Sequence, residues 1–342
     1  MDLITDYIEP AELTGFVRAD LDAFHANEDN AFLLQWFPIE QIDDVDYKYA
    51  KGGELESAVA SYRTYDAESP VGSRPGSETV RGTIPPISEK IPLSEYENLR
   101  RRNSSTEAIR NVGFRDATRQ GRRIARRLEL ARGQMLTEGK ITINENGLVT
   151  EIVFDRDATH TTTPSVAWGT SATADPVLDL STWRDRVEAK GFRVETILAS
   201  REAVNAARRT KAVIDAVKGS AAGVSQVSLD ELNSLLNSEG LPGFTVSVST
   251  VGGTRTIGTK NIIMLPGAGD GIESICGRTV FGTTAEAVEA AYELDLDNGE
   301  APGVVSGQYK SQDPVTIWTK TAAVAVPLFA EPNSTLAAQV LA

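Results

Sequence analysis

The sequence has a single cysteine, two histidines and no long hydrophobic run. Because Cys276 has no second cysteine to pair with, the chain forms neither an internal disulfide nor a cysteine-based zinc site. His25 and His160 are too few for a histidine-rich metal site, and neither has an obvious nucleophile beside it. The longest apolar run, residues 322–330, contains a proline and is too short to cross a bilayer. Metal-dependent or cysteine-dependent catalysis therefore has little support.

Basic residues are also in short supply, with 34 lysines and arginines against 48 acidic residues. The net charge of −14 makes the whole chain repel nucleic acid and anionic membrane surfaces. The first residues, MDLITDYIEP, lack the basic and apolar regions of a signal peptide. The sequence therefore predicts a protein that is soluble and intracellular when it is synthesised, and its 342 residues suggest about two domains.

Two segments resemble functional motifs, but each departs from its motif at a position that the function needs. Residues 253–258 have the glycine spacing of a P-loop, but Thr259 stands where the lysine must be, so a hairpin loop is the preferred interpretation. Residues 295–299 resemble the start of an EF-hand, yet Ser306 occupies the position of the bidentate ligand, which favours an exposed acidic turn. Cys276 is interpreted as a small buried residue. Carboxylate pairs for acid–base chemistry stay open, because 48 acids offer many pairs.

The segment ARGQMLTEGKITINENGLVTEIVFD, residues 131–155, changes its hydrophobic period from helical to alternating near Lys140. A helix is predicted over residues 111–138, about 40 Å long at 1.5 Å per residue, with Gly139 at its C-cap. One apolar stripe runs along it, formed by Phe114, Ala117, Gly121, Ile124, Leu128, Ala131 and Met135.

A hairpin is predicted directly after this helix, with Asn146-Gly147 as a two-residue type I′ turn. This turn sets the register, which pairs Glu145 with Leu148, Ile143 with Thr150 and Ile141 with Ile152. One face of the hairpin is then apolar and needs a helix to cover it, and the preceding helix is the obvious candidate.

The C-terminal stretch predicts a strand of unusual length, Val315–Phe329. At about 3.3 Å per residue it extends nearly 50 Å, whereas ordinary strands have about five or six residues. A long helix and a long strand far apart in sequence indicate one elongated domain, built from residues 93–160 and 305–342. Residues 161–304 then form an inserted α/β or α+β unit, in which Ser228 and Glu231 make a helix capping box.

The first ninety residues are predicted to form two appendages. Residues 1–46 contain two short helical candidates and are interpreted as an arm that packs on something else. Residues 47–92 read as a long hairpin whose tip, residues 69–77, is rich in glycine, proline and serine. A two-stranded ribbon is marginally stable alone, so its partner surface is expected elsewhere; the alternative is a disordered surface loop.

One charge pattern stands out along the predicted long helix. Eleven arginines and no lysines lie between Arg100 and Arg132, against three acids. Four of these arginines share one side of the helix: Arg115, Arg119, Arg122 and Arg126. They could bind nucleic acid, but in an acidic protein pairing with carboxylates of neighbouring chains is the favoured interpretation.

These patterns together resemble the major capsid proteins of tailed phages, of the lambda type (the major capsid protein E family). The resemblance is carried by residues 131–155, by LDLSTWRDRVEAKG, by NIIMLPG and RTVFG, and by the ending GQYKSQDPVTIWTKTAAVAVPLFAEPN. It implies an α+β fold of the Hong Kong 97-like type. Its parts would be an N-terminal arm (1–46), an extended loop (47–92), a peripheral domain (93–160 and 305–342) with a spine helix, and an axial domain (161–304).

The resemblance also implies a structural protein with no catalytic residue, cofactor or metal. Copies would form the hexamers and pentamers of an icosahedral shell that encloses double-stranded DNA, which it touches only weakly. Expected partners are a separate scaffolding protein and a portal, with a decoration protein left open, and the shell would assemble in the host cytoplasm and remain in the virion capsid. Two alternatives are kept: an encapsulin-like compartment and a cytoplasmic α/β enzyme.

Overall fold

The computed structural model describes residues 3, 8–27, 30–51, 62–65, 68, 78–100, 106–220, 223–247, 249–269, 274, 276–294, 302–313 and 315–342. Its α-helices are α1 (Pro10–His25), α2 (Glu95–Arg100), α3 (Thr106–Glu138), α4 (Pro176–Glu188), α5 (Arg201–Ala207), α6 (Lys211–Lys218), α7 (Leu229–Ser238) and α8 (Ala285–Val288). Short 3-10 helices lie at Phe32–Gln35, Ala158–His160, Ala290–Tyr292 and Pro332–Ser334.

The described residues also form sixteen β-strands. They are β1 (Ile39–Gln41), β2 (Asp46–Lys51), β3 (Glu78–Thr83), β4 (Pro86–Leu93), β5 (Lys140–Glu145), β6 (Leu148–Val153), β7 (Thr161–Thr162), β8 (Thr196–Ser200), β9 (Phe244–Ser247), β10 (Thr250–Val251), β11 (Thr254–Arg255), β12 (Asn261–Leu265), β13 (Gly277–Gly282), β14 (Val305–Gln312), β15 (Val315–Phe329) and β16 (Leu336–Gln339).

The long strand β15 has the predicted bounds and forms the centre of one sheet. It pairs antiparallel with β14, β4 and β13, and β1 adds to β13 in parallel. Pro327 lies within this central strand opposite Thr279, whose backbone N–H donates to Pro38 on the far side of β13. Along an antiparallel ladder, hydrogen-bonded pairs alternate with pairs whose backbone groups point away from each other. Pro327 and Thr279 form a pair of the second kind, so no N–H of residue 327 is needed towards β13 and a proline is tolerated there.

Helix α3 lies along the long sheet, and α1 runs beside it in the same direction. The helix predicted over 111–138 is confirmed, although it begins earlier, at Thr106, and Gly139 ends it with a φ of 72°. Six of the seven residues of the predicted stripe are buried between α3 and its neighbours, Ala117 and Met135 fully, and Phe114 is partly buried. The arm segment 1–46 thus packs through α1 on its own chain. Its second helical candidate was predicted around Phe24–Phe32, but among the described residues α1 ends at His25 and the next helical turn is the 3-10 helix at Phe32–Gln35.

Glycines in α3 mark the points of closest approach. A Cβ atom on Gly133 would stand 2.0 Å from the backbone oxygen of Thr256, and one on Gly121 would stand 2.8 Å from Val17. Glycine disfavours a helix interior by about 1 kcal/mol relative to alanine. These glycines are therefore needed for packing rather than for flexibility.

Gly133→Ala is expected to lower the free energy of unfolding by about 1–3 kcal/mol, because the backbone of residue 256 must move to admit the methyl group. Gly15→Ala in α1 is the matched control. A Cβ there meets nothing within 4 Å, so the helix should gain about 0.5–1 kcal/mol. Denaturant unfolding of the two variants measures both effects, and a stabilising Gly133→Ala would contradict the packing argument.

The hairpin after α3 follows the predicted register at every pair, from Lys140–Val153 to Glu145–Leu148. Asn146 and Gly147 both have positive φ, 49° and 84°, as a type I′ turn requires. Ile141 is buried against α3, as expected, but Leu148 near the turn is 38% exposed.

The hairpin predicted over 47–92 is shorter than expected. Strands β2 and β3 pair with each other, but β4, which the prediction assigned to the same ribbon, pairs with β15 instead. Ile84 and Pro85 separate β3 from β4, and Pro86 is the first residue of β4; because neither proline has a backbone N–H, one ladder ends here before the next begins. The predicted tip, residues 69–77, lies outside the described residues.

A second sheet has the strand order β7-β16-β12-β8-β9. Helices α4 to α7 cover it around Trp168, Trp183 and Leu232, and the predicted capping box of Ser228 and Glu231 is present. Two strands do not follow the predicted segment boundaries: β13 lies in the long sheet, and β16 completes the second one. The division into four domains stays a prediction.

Candidate subunit interface

The four arginines singled out in the sequence lie on one exposed side of α3, next to α1. Arg122 donates to both oxygens of Asp20 in α1, with Nε–Oδ2 at 2.8 Å and Nη2–Oδ1 at 2.6 Å. This hydrogen bond raises the pKa of Arg122. The guanidinium groups of Arg122 and Arg126 also lie over the ring of Phe24, 5.7 and 5.8 Å from its centroid. These two arginines therefore help to hold α1 on α3.

Arg115 and Arg119 make no ion pair with α1 among the described residues. Arg119 makes only a 3.7 Å ion pair with Asp116 one turn before it, and 59% of its side chain is exposed. Arg115 is exposed and has no ion pair within the described part of the chain. The structure thus separates the predicted set into two arginines that bind their own chain and two that remain available to another molecule.

Three further arginines of α3 bind carboxylates on different elements of the same chain. Arg110 binds Glu12 of α1 at 2.6 Å, Arg127 binds Glu145 of the hairpin at 3.1 Å, and Arg123 binds Glu89 of β4. These pairs are exposed, so each contributes at most about 1 kcal/mol. They neutralise much of the positive charge that nucleic acid would need.

A buried ion pair in α3 was missed by the sequence reasoning. Arg132 and Glu129 are 1% and 0% exposed, and Nη1 lies 2.8 Å from Oε2. The other carboxylate oxygen accepts the backbone N–H of Leu33, while Arg132 Nε donates to the hydroxyl of Thr279. That hydroxyl donates in turn to the carbonyl of Phe37. One pair of charges therefore joins α3, β13 and the arm segment around residues 33–37.

The family model described as phage major capsid protein E matches residues 52–340. The chain belongs to this family. The resemblance seen in the sequence is thereby confirmed, and the protein is a capsid shell protein. No curated protein sequence matches the chain.

Two crystal structures share the α+β fold of this capsid protein. One is assigned as a prophage capsid protein of E. coli CFT073, with 15% identity and a TM-score of 0.60, and covers 96% of this chain and 98% of its own. The other is a phage-related protein of Bordetella bronchiseptica RB50, with 13% identity, a TM-score of 0.58 and 98% coverage of both chains. The predicted fold class is confirmed as that of phage capsid proteins.

The family implies a structural role. In this capsid protein, burial shifts the pKa of the cysteine and of both histidines towards the uncharged form. Burial raises the pKa of the Cys276 thiol to about 12 and lowers that of His25 to about 4. Burial also lowers the pKa of His160, whose Nδ1 lies 3.0 Å from the carbonyl oxygen of Thr335.

The motif-like segments also behave as loops where the structure describes them. Residues 250–255 form the small β10–β11 hairpin, and the acidic turn at 295–299 lies outside the described residues. Among described side chains, no group of three or more histidines, cysteines or carboxylates could hold a metal ion. None of the described helices combines the length and hydropathy of a membrane span.

Proposed function

We propose that this capsid protein assembles into hexamers and pentamers, and that these close into an icosahedral shell around double-stranded DNA. Family membership across residues 52–340 is the observation that carries the proposal. In this assembly the chain has a Hong Kong 97-like organisation of arm, extended loop, peripheral domain and axial domain, in which β13 is counted with the peripheral domain and β16 with the axial domain. A scaffolding protein and a portal are its partners, and its contact with DNA is weak.

The exposed arginines of α3 support contacts between copies. A protein with a net charge of −14 repels copies of itself unless positive groups lie where copies meet. Arg115 and Arg119 are such groups, because they are exposed and lie on a rigid helix. We infer that they bind carboxylates of an adjacent subunit, with Arg122 and Arg126 beside them anchoring α1. Repeated heterologous contacts of this kind close into rings.

The protein, co-expressed with the scaffolding protein of its own phage, is expected to form closed shells or rings of five and six subunits. Negative-stain electron microscopy and sedimentation measure the outcome. A species that stays strictly monomeric at high concentration, with the scaffolding protein present, would refute the proposal.

A further inference from the structure

The hairpin β5–β6 exposes apolar side chains on the face that turns away from α3. Val149 and Val153 on β6 are 76% and 54% exposed. They lie on either side of Glu151, which binds Lys140 of β5 at 2.6 Å. The same sheet has only two strands, so the outer edge of β6 has no strand partner within the described residues.

The turn determines which backbone groups point outward along this edge. A two-residue type I′ turn is closed by a hydrogen-bonded pair, here Glu145 with Leu148. Hydrogen-bonded and non-hydrogen-bonded pairs alternate along an antiparallel ladder. The N–H and C=O groups of Val149, Glu151 and Val153 therefore point away from β5, towards the open edge.

Open strand edges of natural proteins are normally protected by proline, by lysine, by a bulge or by a covering element. The sequence of β6, LVTEIV, contains neither proline nor lysine, and its pairing with β5 is free of bulges. Four of its six residues are β-branched, which favours strand pairing. Charged side chains also protect open edges, but the one charge of β6, Glu151, is already bound to Lys140, so this edge is available to a partner strand.

We propose that β6 pairs antiparallel with β6 of a second copy, so that two hairpins join into a four-stranded sheet about a local two-fold axis. This inference rests on the proposed assembly into a shell. The edge is complementary to itself: with Glu151 of the two copies opposite each other, Val149 of each copy meets Val153 of the other. In this register the outward-facing N–H and C=O groups of Val149, Glu151 and Val153 in both copies form backbone hydrogen bonds with each other.

The charges also favour a second copy over nucleic acid. An edge of two valines and a carboxylate offers no positive group to a phosphate backbone. Glu151 would meet its counterpart across the axis, and like charges placed opposite each other are unfavourable. Lys140 beside each Glu151 offsets this repulsion, because the Lys140–Glu151 pair of each copy has no net charge.

A disulfide test reports the register directly. In the proposed pairing the Cα atoms of residue 149 and of residue 153 in the second copy lie about 5.5 Å apart, within the range of a disulfide. Within one strand the same residues are about 13 Å apart, so they do not link within a chain. The native Cys276 is buried and does not compete.

Oxidised shells of the double variant Val149→Cys/Val153→Cys are expected to give a covalent dimer on a non-reducing gel as the main species. Each single variant, Val149→Cys or Val153→Cys, is the matched control and should remain monomeric. Absence of the dimer in well-formed shells, or equal dimer from a single variant, overturns the proposed pairing. Wild-type shells are imaged first, so failure of assembly itself is recognised separately.

Amide hydrogen exchange of the unaltered protein provides a second measurement, in case the cysteine variants do not assemble. The N–H groups of Val149, Glu151 and Val153 should exchange rapidly in the free subunit and at least tenfold more slowly in the shell. The inward-facing amides of Leu148, Thr150 and Ile152 serve as the internal reference. Equal exchange of the outward amides in both states overturns the inference and leaves the proposed shell intact.

Discussion

Arg132→Met is expected to lower the free energy of unfolding of the isolated subunit by about 3–5 kcal/mol. The substitution removes the positive partner of Glu129 and leaves that carboxylate fully buried beside Leu33 and Thr279. A buried charge without a counter-ion is far less stable than the same charge in water. Urea unfolding of the unassembled subunit, followed by circular dichroism, measures the loss.

Two further variants test this explanation. In Glu129→Gln/Arg132→Met the amide oxygen still accepts the Leu33 N–H, but no buried charge remains, so the loss should be smaller than for Arg132→Met alone. Arg123→Met breaks an exposed pair with Glu89 and should change stability by less than about 1 kcal/mol. Equal losses in the single and double variants would show that packing, not charge, explains the effect.

Arg115→Glu/Arg119→Glu is expected to abolish shell formation while the subunit stays folded. Both side chains are exposed, and exposed charges contribute little to the stability of a domain. Across a contact repeated around every ring, reversed charges would face like charges and weaken assembly many times over. Electron microscopy of the co-expressed variant measures assembly, and its thermal unfolding midpoint confirms folding.

The conservative variant Arg115→Lys/Arg119→Lys keeps the charge and should still form shells. Normal empty shells from the glutamate variant, with a defect only in DNA packaging, would instead place this side of α3 against the packaged DNA. That outcome would contradict the proposed contact between subunits.

Arg122 and Arg126 cannot be used for the same test, although the sequence places all four arginines together. Arg122→Glu would set two carboxylates against each other at Asp20 and remove the cation from the Phe24 ring. The substitution would therefore loosen α1 from α3 before any neighbour is involved. The sequence shows which residues share a helix face, but it does not show that a second helix lies along half of that face.

Local signals predicted the elements that local physics controls. Asn146-Gly147 fixes its hairpin register because a type I′ turn needs positive φ at two successive residues. Gly139 ends α3 for a similar reason, and a stretch rich in β-branched residues sets β15. The choice of partner strands was not predictable in this way: β4 joins β15, and β16 joins β12, through contacts far apart in sequence.

The candidate site was predicted only in part for a related reason. Helical spacing grouped the exposed arginines correctly, but a charged residue in a sequence is read as exposed unless something indicates otherwise. Glu129 and Arg132 did carry such a signal, since both adjoin buried positions such as Leu128 and Ala131. Two opposite charges three residues apart at the edge of an apolar stripe indicate a paired, buried couple.

The place of β15 and β16 in the two sheets determines when the chain can fold during its synthesis. Neither sheet can form before residues beyond 315 have been synthesised, because β15 is the centre of one sheet and β16 lies between β7 and β12 in the other. A ribosome adding about 5–20 residues per second needs roughly 9–35 s to pass from the end of α3 to the start of β15. During that interval the apolar side of α3 has no sheet to cover it. Nascent chains on one messenger RNA therefore expose this apolar side to each other before their release from the ribosome. A chaperone that shields α3 would act in that interval.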